Sequence, residues 1–316
     1  MPNVITECQH FHIEQVLEGI YVAIVKESSG AIANVGFIDL GESILVFDSF
    51  NTQQAAQELR DEIMKLTGKP ITHLLNSHWH GDHIRGNQVF HDVTIVSSKQ
   101  TAQLMQEIHP ARIERQQSDL EGLRSYIQSL EIQIQVLEDK QQKLQMSNQI
   151  SALKQLEISL PKLQLTLPTE TFDSTWEIEG SKHRAVFQTL GGGHTASDSF
   201  LYIPDAKVIF IGDLVAVHNH MSIMDGNVSN WIAILEQLQD WDIEYVIAGH
   251  GKPGGKDWIA KAAQYLRDLD EAANVLKEQG VTPDQLGNVE VPEPYTNWDA
   301  GMVYTHNLKH LLSIHS

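Results

Sequence analysis

The chain has 316 residues, with 41 acidic against 22 basic side chains and a formal charge of −19. That length can bury a substantial core, and 41% hydrophobic with 20% charged residues is an ordinary globular composition. The acidic excess repels phosphate backbones, so nucleic acid is not expected as a partner, and no stretch approaches the 18 uninterrupted apolar residues of a membrane span. The start, Met1-Pro2-Asn3-Val4, shows no basic region followed by an apolar one, so no signal peptide is visible and a cytoplasmic location is expected. The single cysteine, Cys8, excludes an internal disulfide and a cysteine-rich zinc finger. Sixteen histidines, several of them clustered, make metal binding the first question.

Strand patterns come first. Gly19–Val25, Asn34–Asp39 and Ser43–Asp48 are rich in β-branched and aromatic residues, and Gly41 punctuates the last two. Residues 52–67 carry Ala55, Ala56, Leu59, Ile63 and Leu66 at helical spacing, and Gly68 with Pro70 ends that helix. Ile71–Asn76 reads as a short buried strand and Val93–Val96 as another. Residues 98–109 read as a helix that Pro110 interrupts. Strands alternating with helices predict the α/β class.

Between 111 and 160 the pattern changes. Leu120, Leu123, Ile127, Leu130, Ile134, Leu137 and Leu144 form a seam of period 3.5, with Gln141 in the one polar slot. Ser147-Asn148-Gln149 is either a hairpin turn or a stutter. Two readings stand for this insert: a helical hairpin packed on its own domain, or a protruding coiled-coil arm that makes a homodimer or caps a site. Leu163, Leu165 and Leu167 then alternate like a strand between Pro161 and Pro168. Further strands follow at Arg184–Gln188, Ser199–Ile203, Val208–Ile211 and Tyr245–Ala248, with a turn at Pro204–Lys207. Helices are expected at about 229–240, 256–279 and 303–314. Apart from the insert, no second compact domain is evident, and 256–316 forms a helical extension.

The chemistry concentrates in His78-Trp79-His80-Gly81-Asp82-His83, four ligand-type residues in six, directly after a buried strand. Zinc favours imidazole nitrogen and carboxylate oxygen. Alternate residues leaving a strand can share one direction, so His78 and His80 can reach one ion while Asp82 and His83 reach a neighbour. Three glycine-flanked positions suit the same site: His194 in Gly191–Thr195, Asp213 after Gly212, and His250 between Gly249 and Gly251. A packed core histidine would not need glycine beside it.

On these ordered motifs the chain resembles the metallo-β-lactamase superfamily. The resemblance implies a four-layer αβ/βα sandwich over 1–316 as one domain, with the 111–160 helical insert and the 256–316 extension. It implies two zinc ions, with iron or manganese as alternatives, and a metal-bridging hydroxide that attacks a carbonyl. His78, His80 and His194 would form one site; Asp82, His83 and His250 the other; Asp213 would bridge them. Asp82 would aim the nucleophile, and Asp48 would orient ligands from behind. The expected substrate is a small molecule: a lactam, a thioester, or a lactone or ester.

Gly193–Pro204 resembles the matching stretch of class B β-lactamases, and 225–231 resembles their substrate-side loop. There Asn227 or Asn230 either binds the scissile carbonyl or simply caps the helix near Trp231. Two departures point elsewhere. The commonest lactamase subclass has Cys at the place of Asp213 and a Lys at that of Ala216. Asp213 is similar to the thioesterase, lactonase and phosphodiesterase branches, so a glyoxalase II-like thioesterase is the rival reading, and a metal-binding protein without turnover is another. His218 and His220 are expected in the pocket wall.

Overall fold

The computed structural model describes residues 3–287 and 289–314. The chain is α/β, with two mixed sheets and eight α-helices among the described residues. It divides into two compact units.

The first unit is Met1–Asp173 with Ile178–Arg184. Its sheet lays eight strands side by side in chain order: β1 (Asn3–Glu7), β2 (Phe11–Leu17), β3 (Ile20–Val25), β4 (Val35–Asp39), β5 (Ile44–Phe47), β6 (Ile71–Leu75), β7 (Thr94–Ser98) and β8 (Glu170–Phe172). β1 and β2 precede the first strand expected from sequence; their alternating polar residues hid them. Pairings up to β5 are antiparallel, and β5 to β8 run parallel. The switch is made by α1 (Gln53–Thr67), a crossover helix that buries Ala55, Ala56, Leu59 and Ile63 and ends at Gly68 with φ 64°. Phe11, Phe37, Phe50, Leu74 and Phe90 fill the core beneath it.

The parallel arrangement positions the chemistry. Strands β5, β6 and β7 finish side by side, so the residues following them become neighbours, and ligand sites in parallel sheets lie at such ends. Asp48 N donates to Leu75 O at 2.8 Å, and Asn76 N to Val96 O at 2.9 Å. The short helix α2 (Gly81–Ile84) lies in the loop after β6.

Three helices separate the neighbouring strands β7 and β8: α3 (Lys99–Ser118), α4 (Leu120–Val136) and α5 (Lys140–Ser159). The expected break at Pro110 does not occur. Helix α3 runs through it, held by Met105, His109 and Ile113, which are buried on one face on either side. The hairpin turn falls at 137–139, not at Ser147–Gln149, which lies inside α5. Asp139 caps that helix by accepting from Gln142 N at 2.8 Å. Ile127, Leu130 and Ile150 pack against Leu123, Ile134, Met146 and Leu153, whereas the turn leaves Leu144 exposed. The hairpin lies on its own unit: Gln54 Nε2 donates to Gln155 O at 2.8 Å, Asn148 Nδ2 to Glu27 Oε2 at 2.7 Å, and Ser159 Oγ to Gln53 Oε1 at 2.8 Å. The strand expected from Leu163 to Leu167 is absent. Leu163 is instead buried against Ile113 and Leu160, and Leu165 and Leu167 are half-buried beside Trp79 and Met105, in irregular chain.

The second unit is Ser174–Glu177 with Ala185–Ser316. Its sheet has the order β14-β13-β12-β11-β10-β9, from β9 (Thr175–Glu179), β10 (Arg184–Thr189), β11 (Ser199–Ile203), β12 (Val208–Ala216), β13 (Tyr245–His250) and β14 (Gly254–Gly255). β12 and β13 are parallel, joined by the crossover helix α6 (Val228–Gln239). Trp231, Ile234, Leu235 and Leu238 of α6, Ile259, Tyr265, Leu266 and Leu269 of α7 (Asp257–Glu278), and Leu308 and Leu311 of α8 (Met302–Ile314) make the core. β12 runs five residues past its expected end at Ile211, so Asp213 lies within the strand rather than after it. A register shift around Gly212, with φ 55°, turns the strand there.

Candidate functional site

In the first unit, the loop after β6 is organised from behind by Asp48. This residue is fully buried and adopts φ 67°, a left-handed conformation uncommon outside glycine. Its Oδ1 accepts from Ser77 N at 2.8 Å; its Oδ2 accepts from Ser77 Oγ at 2.8 Å and from His83 Nδ1 at 2.7 Å. Burial pushes its carboxyl pKa up, while the charge of His83 and the hydrogen bonds from His83 and Ser77 oppose that rise.

This network fixes two imidazole tautomers. The one hydroxyl proton of Ser77 goes to Asp48, so Ser77 Oγ can only accept from His78 Nδ1, 2.9 Å away. His83 likewise spends its Nδ1 proton on Asp48. Both rings therefore present Nε2 as a lone pair, the form a metal requires. The rings of His78 and His80 lie 4.7 Å apart, those of His78 and His83 4.2 Å, and His83 Nε2 is 3.6 Å from Asp82 Oδ2.

In the second unit, His194 is set by its backbone. Asp198 Oδ2 accepts from the amides of Gly193 at 2.7 Å and Thr195 at 2.9 Å, and its Oδ1 accepts from Thr195 Oγ1. A Cβ on Gly226 would stand 2.4 Å from the backbone oxygen of Gly193, so the loop admits only glycine there, and one on Gly193 would stand 2.8 Å from a Leu214 methyl, which would have to shift. His194 Nδ1 donates to Ser222 O at 3.0 Å, which again leaves Nε2 as the lone pair. That Nε2 is 3.5 Å from Asp213 Oδ2, and His250 Nε2 is 3.3 Å from the same oxygen.

Each unit thus carries a His/Asp cluster that can bind metal. Two ligands each about 2.1 Å from a tetrahedral zinc lie about 3.4 Å from one another. The separations of 3.3, 3.5 and 3.6 Å match that spacing, and the donor chemistry, imidazole Nε2 with carboxylate oxygen, fits the same group of metals.

The remaining expected residues divide. Asn227 is the N-cap of α6, its Oδ1 accepting from Asn230 N at 2.9 Å, which is the capping alternative of the two readings. Asn230 Nδ2 donates to Gly192 O in the run that carries His194. His220 is buried among Tyr265, Trp298 and Tyr304, with Nδ1 3.0 Å from Tyr265 Oη, and His218 packs edge-on to Trp258. Sequence reasoning passed over Ser77, Asp198 and Ser222. Asp198 had a legible signal, four residues after His194 in a glycine-rich run. Ser222 acts through a carbonyl that any residue type supplies.

Residues 29–250 match the family model described as the metallo-beta-lactamase superfamily, and the chain belongs to that family. Among solved structures, a metallo-beta-lactamase from Pontibacter korlensis is similar at a TM-score of 0.56 and 17% identity, covering 84% of this chain and 99% of that one. TMB-1 is similar at a TM-score of 0.58 and 13% identity, covering 83% and 99%. At these identities the likeness is one of fold.

Proposed function

We propose that the protein is a zinc-dependent hydrolase of a small carbonyl compound, and that the donor sets of its two units serve one binuclear centre. In this reading His78, His80, His194 and Asp213 hold one ion, and Asp82, His83 and His250 the other. Asp213 is the shared ligand, because its Oδ2 lies near both His194 and His250. The observation that carries the reading is the pair of tautomers fixed by Asp48 and Ser77, which commits two adjacent histidines to presenting Nε2.

Bound zinc would supply a Lewis acid for the substrate oxygen and lower the pKa of water towards neutrality. The chain's own contributions are positional and protic. Asp82 accepts a hydrogen bond from the attacking water and takes its proton. Asp48 keeps the His83 ring in one orientation and, through Ser77, does the same for His78. A lactam, a thioester, and a lactone or ester are the substrate classes. The carboxylate at Asp213, in place of the cysteine of the commonest lactamase subclass, favours the thioester and lactone side.

The test is metal analysis joined to turnover. Chain loaded with zinc and then dialysed should retain about two ions and cut at least one of a chromogenic lactam, a thioester and a lactone. Retention of well under one ion sinks the binuclear centre. Metal retention with no turnover of any of the three, and with Asp82→Ala indistinguishable from wild type, leaves a metal-binding protein that is not an enzyme.

A further inference from the structure

The chain has seven arginines. Arg60, Arg124, Arg184 and Arg267 each pair with a carboxylate. Among the described residues, Arg85, Arg112 and Arg115 make no ion pair, although the chain has 41 acidic side chains to choose from. Two of the three converge on the loop that carries His78–His83.

Arg85 is partly buried, and its partners are neutral. Its Nη1 donates to Asn51 Oδ1 at 3.1 Å and its Nη2 to Gln116 Oε1 at 2.7 Å, while its buried Nε makes no hydrogen bond. The group stands against Gly81, where a Cβ would lie 2.8 Å from Nε. Arg112, one helical turn before Gln116 on α3, lays its guanidinium over the Trp79 ring, 4.7 Å from the centroid. Trp79 is itself buried, and its carbonyl accepts from His109 Nε2 at 2.6 Å.

Two guanidiniums held beside one loop by neutral amides and an aromatic face, neither in an ion pair, keep N–H donors that a further anion can take. Amide partners such as Asn51 and Gln116 aim a guanidinium without neutralising it. Stacking on Trp79 leaves the edge of Arg112, with its N–H donors, available. A guanidinium edge is the side-chain group best suited to hold a carboxylate or phosphate through paired hydrogen bonds.

We propose that Arg85 and Arg112 form an oxyanion-binding site beside the His78–His83 loop, and that it holds a carboxylate or phosphate group of the substrate. The word substrate rests on the hydrolase reading; the anion site does not. Bound there, an anionic compound is anchored next to Asp82, and a neutral one of the same size is not.

The test separates the two claims. Full-length chain stripped of metal with EDTA is titrated calorimetrically with benzoate, phenyl phosphate and the neutral benzamide. At least one of the two anions should bind and benzamide should not; which anion binds tells carboxylate from phosphate. Arg112→Gln should weaken that binding tenfold or more, with Arg112→Lys recovering part of it. Arg85→Gln should act in the same direction, and circular dichroism checks that each variant folds. If neither anion binds the wild-type chain, or if Arg112→Gln binds as well as wild type, the site is refuted whatever the turnover results. On zinc-loaded chain, Arg112→Gln should raise the KM of an anionic thioester tenfold and leave that of a neutral thioester unchanged. An equal change for both refutes the proposal.

Discussion

The two units hold their ligand-type side chains by different means. In the first, side chains hold side chains: Asp48 binds Ser77 and His83, and Ser77 binds His78. In the second, the main chain does most of the holding: Asp198 grips two amides flanking His194, glycines let strands and loops approach, and the orienting acceptor for His194 is a carbonyl. The first arrangement is sensitive to chemistry at one buried carboxylate. The second is sensitive to volume and to backbone conformation.

The largest expected effect is at Asp48. Asp48→Ala removes the acceptor for three donors and lets both imidazoles turn, so metal affinity should fall about 10- to 100-fold, the usual range for orienting residues. A metal-binding titration with a competing chelator measures it. Asp48→Asn, which keeps the shape and loses the charge, should fall between alanine and wild type.

The second unit is broken differently. Asp198→Ala leaves the amides of Gly193 and Thr195 buried without their acceptor, a loss of about 1–3 kcal/mol for such a group, read as a lower denaturation midpoint. Gly226→Ala should cost a similar amount by overpacking, about 1–3 kcal/mol, because its nearest neighbours are the immovable carbonyls of Gly193 and His194. Both variants should perturb metal binding through His194 while leaving the Asp48 network intact.

A third difference is acid sensitivity. His109, buried under Trp79, is pushed down from 6.5 to about 4, chiefly by burial, with the charges of Arg85, Arg112 and His80 adding to it. Its folded pKa lies below the unfolded value, so the unfolded chain takes up a proton first as pH falls. The stabilisation is whole above about 6.5 and is lost progressively down to about 4, at most about 3 kcal/mol. His109→Gln should flatten that part of the stability-against-pH curve measured by urea denaturation.

The smallest global effect belongs to the hairpin. Leu130→Ala empties a satellite cluster that shares no residue with the main core of its unit. Such regions open locally. Proteolysis within 120–159 should quicken, while the melting temperature of the whole chain moves little.

What could be read from sequence followed what chemistry constrains. A metal accepts few residue types, so His78, His80, Asp82, His83, His194, Asp213 and His250 stood out by type and setting. Strongly patterned segments such as α1 and α7 were also legible. Ser222 was not, because its contribution is a backbone oxygen. Arg85 and Arg112 were not, because their meaning lies in the carboxylates they do without. The turn at 137–139 was hidden by a seam that continues through it in sequence. Pro110 misled in the opposite direction, since burial on both sides of a proline can outweigh the hydrogen bond it removes.

The placement of the helical segment between β7 and β8 also bears on the order of folding. β1 to β5 are joined by short connections, and their contacts are local in sequence. β8 reaches its place beside β7 only after everything from Lys99 to Thr169 has been synthesised and looped out, an entropic cost that falls when α4 and α5 first close on themselves. A hairpin that closes first shortens the loop that β8 must close, so a chain with a disordered insert should complete its sheet more slowly than one in which the insert has been replaced by a short linker.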